Sequence, residues 1–219
     1  MHVGWKGAGG DVAEVPLTKM VFVVGLVILL FLPPRIAVAA TAGERLHQSI
    51  DKLLEILNDP QLKGANKEKQ RREKLKEVIY QRFDFTEMAK RALGAEWRRL
   101  KPEEREEFVK LFADLLEQAY LDKIESYNGE KVKFIKERED GDYAEVDTKL
   151  IDSRGRDFSI DYRLHKVDGD WKVYDVVIED VSLVNNYRAQ FSRILSKSSY
   201  AELVDRMKKK QISSPGKNS

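Results

Sequence analysis

The sequence predicts an α+β domain in which an amphipathic helical layer covers one face of a curved, four-stranded antiparallel sheet and further helices close the chain. Three observations carry this. Apolar residues recur at three and four from Glu44 to about Ser126, at two from Val132 to Ile178, and at three and four again from Leu183. Helices first, then strands joined by short turns, then helices is a segregated arrangement, unlike the strict alternation of a parallel α/β sheet.

The first helix carries Leu46, Ile50, Leu53, Leu54 and Leu57 on one stripe, and Asn58, Asp59 and Pro60 end it. A charged run from Asn66 to Lys76, read as a solvated helix face, leads into Leu75, Val78 and Ile79. Phe83-Asp84-Phe85-Thr86 forms an aromatic elbow, with Thr86 placed to cap a helix over Glu87 to Leu93 and Gly94 suited to a left-handed end. Pro102, followed by Glu103 and Glu104, starts the strongest helix. Its apolar face (Phe108, Leu111, Phe112, Leu115, Leu116, Ala119, Tyr120, Ile124) is wider than a two-helix seam needs and calls for a large interior.

Past Asn128-Gly129 the period becomes two. Val132 and Phe134 mark the first strand, and Ala144, Val146, Thr148 and Leu150 the second. After a Ser153-Arg154-Gly155 turn, Phe158, Ile160, Tyr162 and Leu164 alternate with Ser159, Asp161, Arg163 and His165 on the third. Asp168-Gly169-Asp170 turns the chain into the fourth, Trp171 to Ile178. A final stripe of Leu183, Val184, Tyr187, Phe191, Ile194 and Leu195 precedes a Ser199/Glu202 capping box. Lys208 to Lys210 read as a frayed basic helix end.

The domain plan is a leader over 1–39, one domain over 40–210 (helical to 128, sheet over 129–182, helices over 183–210) and a flexible tail over 211–219. In the leader, Lys19 precedes the apolar run Met20 to Leu32, and Ala37 and Ala39 suit signal peptidase, with cleavage expected after Ala39. A bilayer-spanning helix needs about 20 apolar residues, more than this run supplies. Export is the reading preferred over an uncleaved anchor.

With 42% hydrophobic and 35% charged residues the chain is too apolar for disorder and too charged for a polytopic membrane protein. A formal charge of +2 gives no reason to expect nucleic acid. The absence of cysteine removes thiolate nucleophiles, disulfides and Cys-ligated zinc or iron–sulfur sites, and His2, His47 and His165 are too few for an easy histidine metal site. Neither a phosphate loop nor a His-Glu-x-x-His or Gly-x-Ser-x-Gly motif occurs. Asp161, His165 and Asp175 remain as candidate bases. Alternation turns the first two away from the interior, and a structural role is preferred for Asp175.

Three segments carry a resemblance: Phe83-Asp84-Phe85-Thr86-Glu87-Met88-Ala89; Trp97 with Leu100-Lys101-Pro102-Glu103-Glu104-Arg105 and Phe108; and Trp171 to Val176 running into Val181-Ser182-Leu183-Val184 and Asn186 to Phe191. In this order and spacing the chain resembles the MlaC family, also called the toluene-tolerance auxiliary family, from about Glu44 to Leu203. It departs from many members at Asp180 (Gly) and Lys101 (Ser), the second of which weakens a helix cap. The resemblance implies an NTF2-like roll with a helical subdomain, and a monomeric, cofactor-free, non-enzymatic periplasmic carrier. The implied cargo is phospholipid, moved between an outer-membrane lipoprotein and porin complex and an inner-membrane ABC transporter with its MCE-domain subunit.

Such cargo fixes what the interior must offer. About 30 methylenes at about 0.8 kcal/mol each make aqueous exposure of two acyl chains cost on the order of 25 kcal/mol. The carrier therefore needs an apolar cavity near or above the top of the usual range of about 300 to 1,000 Å³, with the headgroup left in water. Expected lining residues from the helical layer are Phe83, Phe85, Met88, Phe112 and Leu115. From the sheet they are Val146, Leu150, Phe158, Ile160, Tyr162, Trp171, Val173, Val177 and Val181. Tyr187 and Arg188 are candidates for the mouth, with a surface ion pair the preferred role for Arg188. The alternatives are a hopanoid or other lipid carrier of the same fold, a small NTF2-like isomerase or hydrolase, and a ligand-free envelope scaffold with a filled core.

Overall fold

The structure, a computed structural model, describes residues 40–213 together with Met1, His2 and Gly4. Apart from those three residues the expected leader lies outside the described residues, as does the tail from 214. Among the described residues no helix is long and apolar enough to cross a membrane.

Helix α1 (Ala42–Asn58) opens on a capping box in which the Thr41 hydroxyl accepts from the Glu44 N–H and Glu44 returns the bond to the Thr41 N–H at 3.0 Å. Asp59 then caps the short 3-10 turn Pro60–Leu62. Helix α2 spans Glu68–Arg82. Helix α3 (Phe85–Leu93) starts earlier than expected, because Asp84 rather than Thr86 accepts from the Glu87 N–H at 2.9 Å. Gly94 ends it with φ +68°. Helix α4 (Pro102–Glu125) has proline in its first turn, and Glu104 accepts from the Lys101 N–H at 2.8 Å, while the Lys101 ammonium, a donor only, cannot accept from the Glu104 N–H as a serine would.

The sheet has five strands, not four, in meander order: β1 (Lys131–Asp140), β2 (Tyr143–Ile151), β3 (Asp157–Val167), β4 (Asp170–Ile178) and β5 (Val181–Ser182), all antiparallel. The fifth is two residues long, too short to show a period. At the β3–β4 hairpin both Asp168 (φ 50°) and Gly169 (φ 80°) are left-handed, as a type I′ turn requires. Helices α5 (Leu183–Leu195) and α6 (Tyr200–Lys208) close the chain, capped by Ser182 and Ser199.

Two bulges break the alternation. In β1 the register shifts between Phe134 and Lys136, leaving Ile135 as the extra residue. Glu137 and Glu139 thereby come to face the start of α1, where they accept from the Gly43 N–H (2.7 Å) and the Ala42 N–H (3.1 Å). Carboxylates at the positive end of a helix dipole are favourable. In β4 Tyr174 is the extra residue, because Arg163 pairs with Asp175 and Leu164 with Val173.

Burial resolves into two apolar clusters. One is all-helical, built on Phe108, Phe112, Tyr187 and Phe191, all fully buried, with Met88 and Leu203. The other joins Ala42 and Leu46 of α1 to Ala144, Val146, Leu164, Trp171 and Val173 on one half of the sheet's inner face. Beyond that half the helical layer and the sheet separate.

Candidate functional site

The separation encloses a cavity of about 540 Å³. This is mid-range for a ligand site rather than at its top, because the packed half of the sheet takes the remaining space. The C-terminal half of α1 (Ile50, Leu53, Leu54, Leu57) and Val78 and Ile79 of α2 form one side. Leu116, Tyr120, Leu121 and Ile124 of α4 form a second. The floor is the other half of the sheet: Val132, Leu150, Phe158, Ile160, Tyr162, Val176 and Ile178.

The polar groups in this wall are largely occupied by one another. The Thr148 hydroxyl donates to the Ile160 carbonyl. Arg82 reaches the Ser49 hydroxyl (2.9 Å), Asp170 (3.3 Å) and the Trp171 carbonyl. Burial pushes the Tyr120 hydroxyl up to about 12, and burial with Asp161 nearby pushes Tyr162 up to about 12, so both stay neutral at physiological pH. The wall also carries Lys76, Arg82, Glu117, Lys123 and Glu130, but its apolar majority suits hydrocarbon.

Over the cavity, α2 is fastened to α4 by charge. Arg71 pairs with Glu125 at 2.8 Å, Arg72 with Asp122 at 2.7 Å, and Lys76 with Glu117 at 3.1 Å. The charged run read as a solvated face is thus partly a latch. Of the exposed wall residues, Lys123, Ser126 and Phe158 gather where α4 gives way to β1 and where β3 begins, a mouth of the cavity, while Tyr80 is exposed separately on α2.

Of the residues expected to line the cavity, Phe83, Phe85, Met88, Leu150, Phe158, Ile160 and Tyr162 stand in its wall. The other seven do not, for four reasons. Phe112 and Leu115 share the broad face of α4 with wall residues but turn into the helical cluster. Val146, Trp171 and Val173 lie on the packed half of the sheet, against α1. Val177 is moved by the Tyr174 bulge onto the face of its partner Asp161, which leaves Val176 and Ile178 in the wall instead. Val181, 46% exposed, pairs with Ile178 at the sheet edge outside the wall. Tyr187 is not at the mouth but fully buried in the helical cluster, its hydroxyl without a partner and its pKa raised by burial. Arg188 is exposed beside Gly94, in no ion pair among the described residues.

Among the candidate bases, Asp161 faces away from the cavity, its pKa raised by desolvation and by Asp147. His165 Nε2 lies 3.0 Å from Asp84 Oδ2. Asp175, 3% exposed, accepts from Arg163 (3.1 Å), the Ser182 hydroxyl (2.6 Å) and the Val184 N–H (3.1 Å). Among the described residues no group of His, Asp and Glu is placed to hold a metal ion.

Sequence reasoning missed the α1 residues, although their stripe was legible. A stripe says that a helix buries a face and not whether protein or space lies opposite. The Val176/Ile178 pair left no signal, since the bulge cannot be read from side-chain type.

The cavity can be set beside known proteins. The chain is 27% identical over 199 residues to the intermembrane phospholipid transport system binding protein MlaC of Haemophilus influenzae, covering 88% of this chain and 93% of that one. It is 26% identical over 182 residues to the toluene tolerance protein ttg2D of Pseudomonas putida, covering 80% and 82%. The solved phospholipid-binding protein of Ralstonia solanacearum, in complex with a phospholipid, superposes with a TM-score of 0.70 at 27% identity over 78% of this chain and 96% of that one. The family model described as MlaC protein matches residues 47–209, which takes in every cavity-lining residue but Leu46, and the chain therefore belongs to the MlaC family.

Proposed function

We propose that this protein is a periplasmic phospholipid carrier that holds the acyl chains of its cargo in the cavity between α1, α2, α4 and the sheet, and shuttles it between outer- and inner-membrane complexes. The single observation that carries the reading is the apolar cavity itself, open to water at its mouth. An acyl pair placed there leaves water, and its headgroup remains at the mouth. A relative named for intermembrane phospholipid transport and a superposable protein solved with phospholipid support the same cargo. The expected partners are an outer-membrane lipoprotein complex and an inner-membrane ABC transporter with its MCE-domain subunit. Handover between them requires affinities of similar size at each station, since cargo bound far more tightly at one would stay there.

Organic extraction of the purified protein followed by mass spectrometry tests this reading, with phospholipid expected in the extract. Ile160→Glu sets a carboxylate among apolar wall residues and is expected to empty the cavity while far-ultraviolet dichroism is retained. Asp161→Asn, one residue along on the opposite face, is expected to leave the lipid in place. A polycyclic lipid in the extract would replace phospholipid by a hopanoid. Phospholipid retained by Ile160→Glu would overturn the placement of the acyl chains.

A further inference from the structure

The cavity wall holds three cations, and two of them are committed. Lys76 pairs with Glu117 at 3.1 Å, and Arg82 is buried against Asp170 at 3.3 Å, with further bonds to Ser49 and the Trp171 carbonyl. The third, Lys123, is exposed and makes no ion pair among the described residues. Its ammonium does not swing free into solvent. Nζ sits 5.0 Å from the centroid of the Tyr120 ring, itself a wall residue, so a cation–π contact holds the charge where apolar wall meets water. The backbone below it is fixed as well, since the Lys123 carbonyl accepts from the Ser126 hydroxyl at 2.7 Å, and Ser126 and Tyr127 continue the wall.

We infer that Lys123 is the contact for the phosphodiester of the cargo, so that the mouth reads the anionic phosphate as well as the tails. This rests on the carrier reading and narrows its cargo to lipids with a phosphate next to the acyl-bearing glycerol. A lipid whose tails fill the cavity presents its first polar group at the mouth, where the Lys123 ammonium, in no ion pair among the described residues, meets a singly charged oxyanion. Lys76, by contrast, would have to leave Glu117 to do the same. A diacylglycerol offers the same tails and no charge, and gains nothing there.

The test loads delipidated protein from vesicles containing equal amounts of phosphatidylethanolamine and a diacylglycerol with the same acyl chains, and reads the bound ratio by extraction and mass spectrometry. Wild type is expected to favour the phospholipid. Lys123→Gln is expected to lower that preference about three-fold, the scale of an exposed ion pair, with total loading largely kept, and Lys123→Arg to retain it. Low millimolar inorganic phosphate should leave the ratio unchanged. An equal ratio in wild type and Lys123→Gln would overturn the inference while leaving the carrier reading intact, and so would a preference erased by inorganic phosphate. Wild type that loads neither lipid would end both.

Discussion

Each oxygen of Asp175 is occupied: Oδ2 by Arg163 and the Ser182 hydroxyl, Oδ1 by the Val184 N–H in the first turn of α5. The carboxylate thus ties β3 and β4 to the helix that follows them, with its charge at the favourable end of that helix. Asp175→Asn keeps the shape and loses the charge, leaving an amide facing Arg163. The expected cost is about 2 to 3 kcal/mol, or a Tm lower by about 5 to 10 °C in a domain of this size, with bound lipid retained. A measurable turnover abolished by this substitution without loss of Tm would instead favour an enzyme.

Gly43 sits in the first turn of α1, where a Cβ would lie 2.5 Å from the Glu137 carboxylate that accepts from the Gly43 N–H. In an unencumbered helix Gly→Ala gains about 1 kcal/mol. Here Gly43→Ala is expected to lower Tm by a few degrees, because Glu137 must withdraw from the helix end. A raised Tm would show that the carboxylate relocates at no cost. That close approach exists only because the Ile135 bulge turns Glu137 inward, and such bulges mark the limit of what the sequence discloses. Strands, hairpin turns and the long α4 were legible from periodicity and from Pro102 and Asp168-Gly169. Which residue goes unpaired was not, because an extra residue such as Tyr174 has no distinctive type. Side chains on α4 show the same limit: Phe112 and Leu116 lie one turn apart on one apolar face and in one helical cluster, yet only Leu116 also reaches the cavity. Periodicity gives the face, and the neighbour opposite is decided by parts of the chain far away.

Across the whole molecule, cargo and fold are thermodynamically linked. A ligand bound by the native state alone stabilises it by about 2.7 kcal/mol when present at 100 times its Kd. Protein stripped of lipid is therefore expected to melt about 5 to 10 °C below the loaded form and to recover on reloading from vesicles. Equal melting temperatures would mean that the cavity walls gain nothing from occupancy.

The inner face of the sheet is divided along its length, with Ala144, Val146, Leu164, Trp171 and Val173 in the cluster that takes in the start of α1, Leu150, Phe158, Ile160 and Ile178 left as floor, and Val176 shared between the two. Holding the molecule together and making room for a passenger thus fall to separate stretches of the same strands. A change of bulk at Leu150, Ile160 or Ile178 therefore alters the space without touching the half that anchors the first helix.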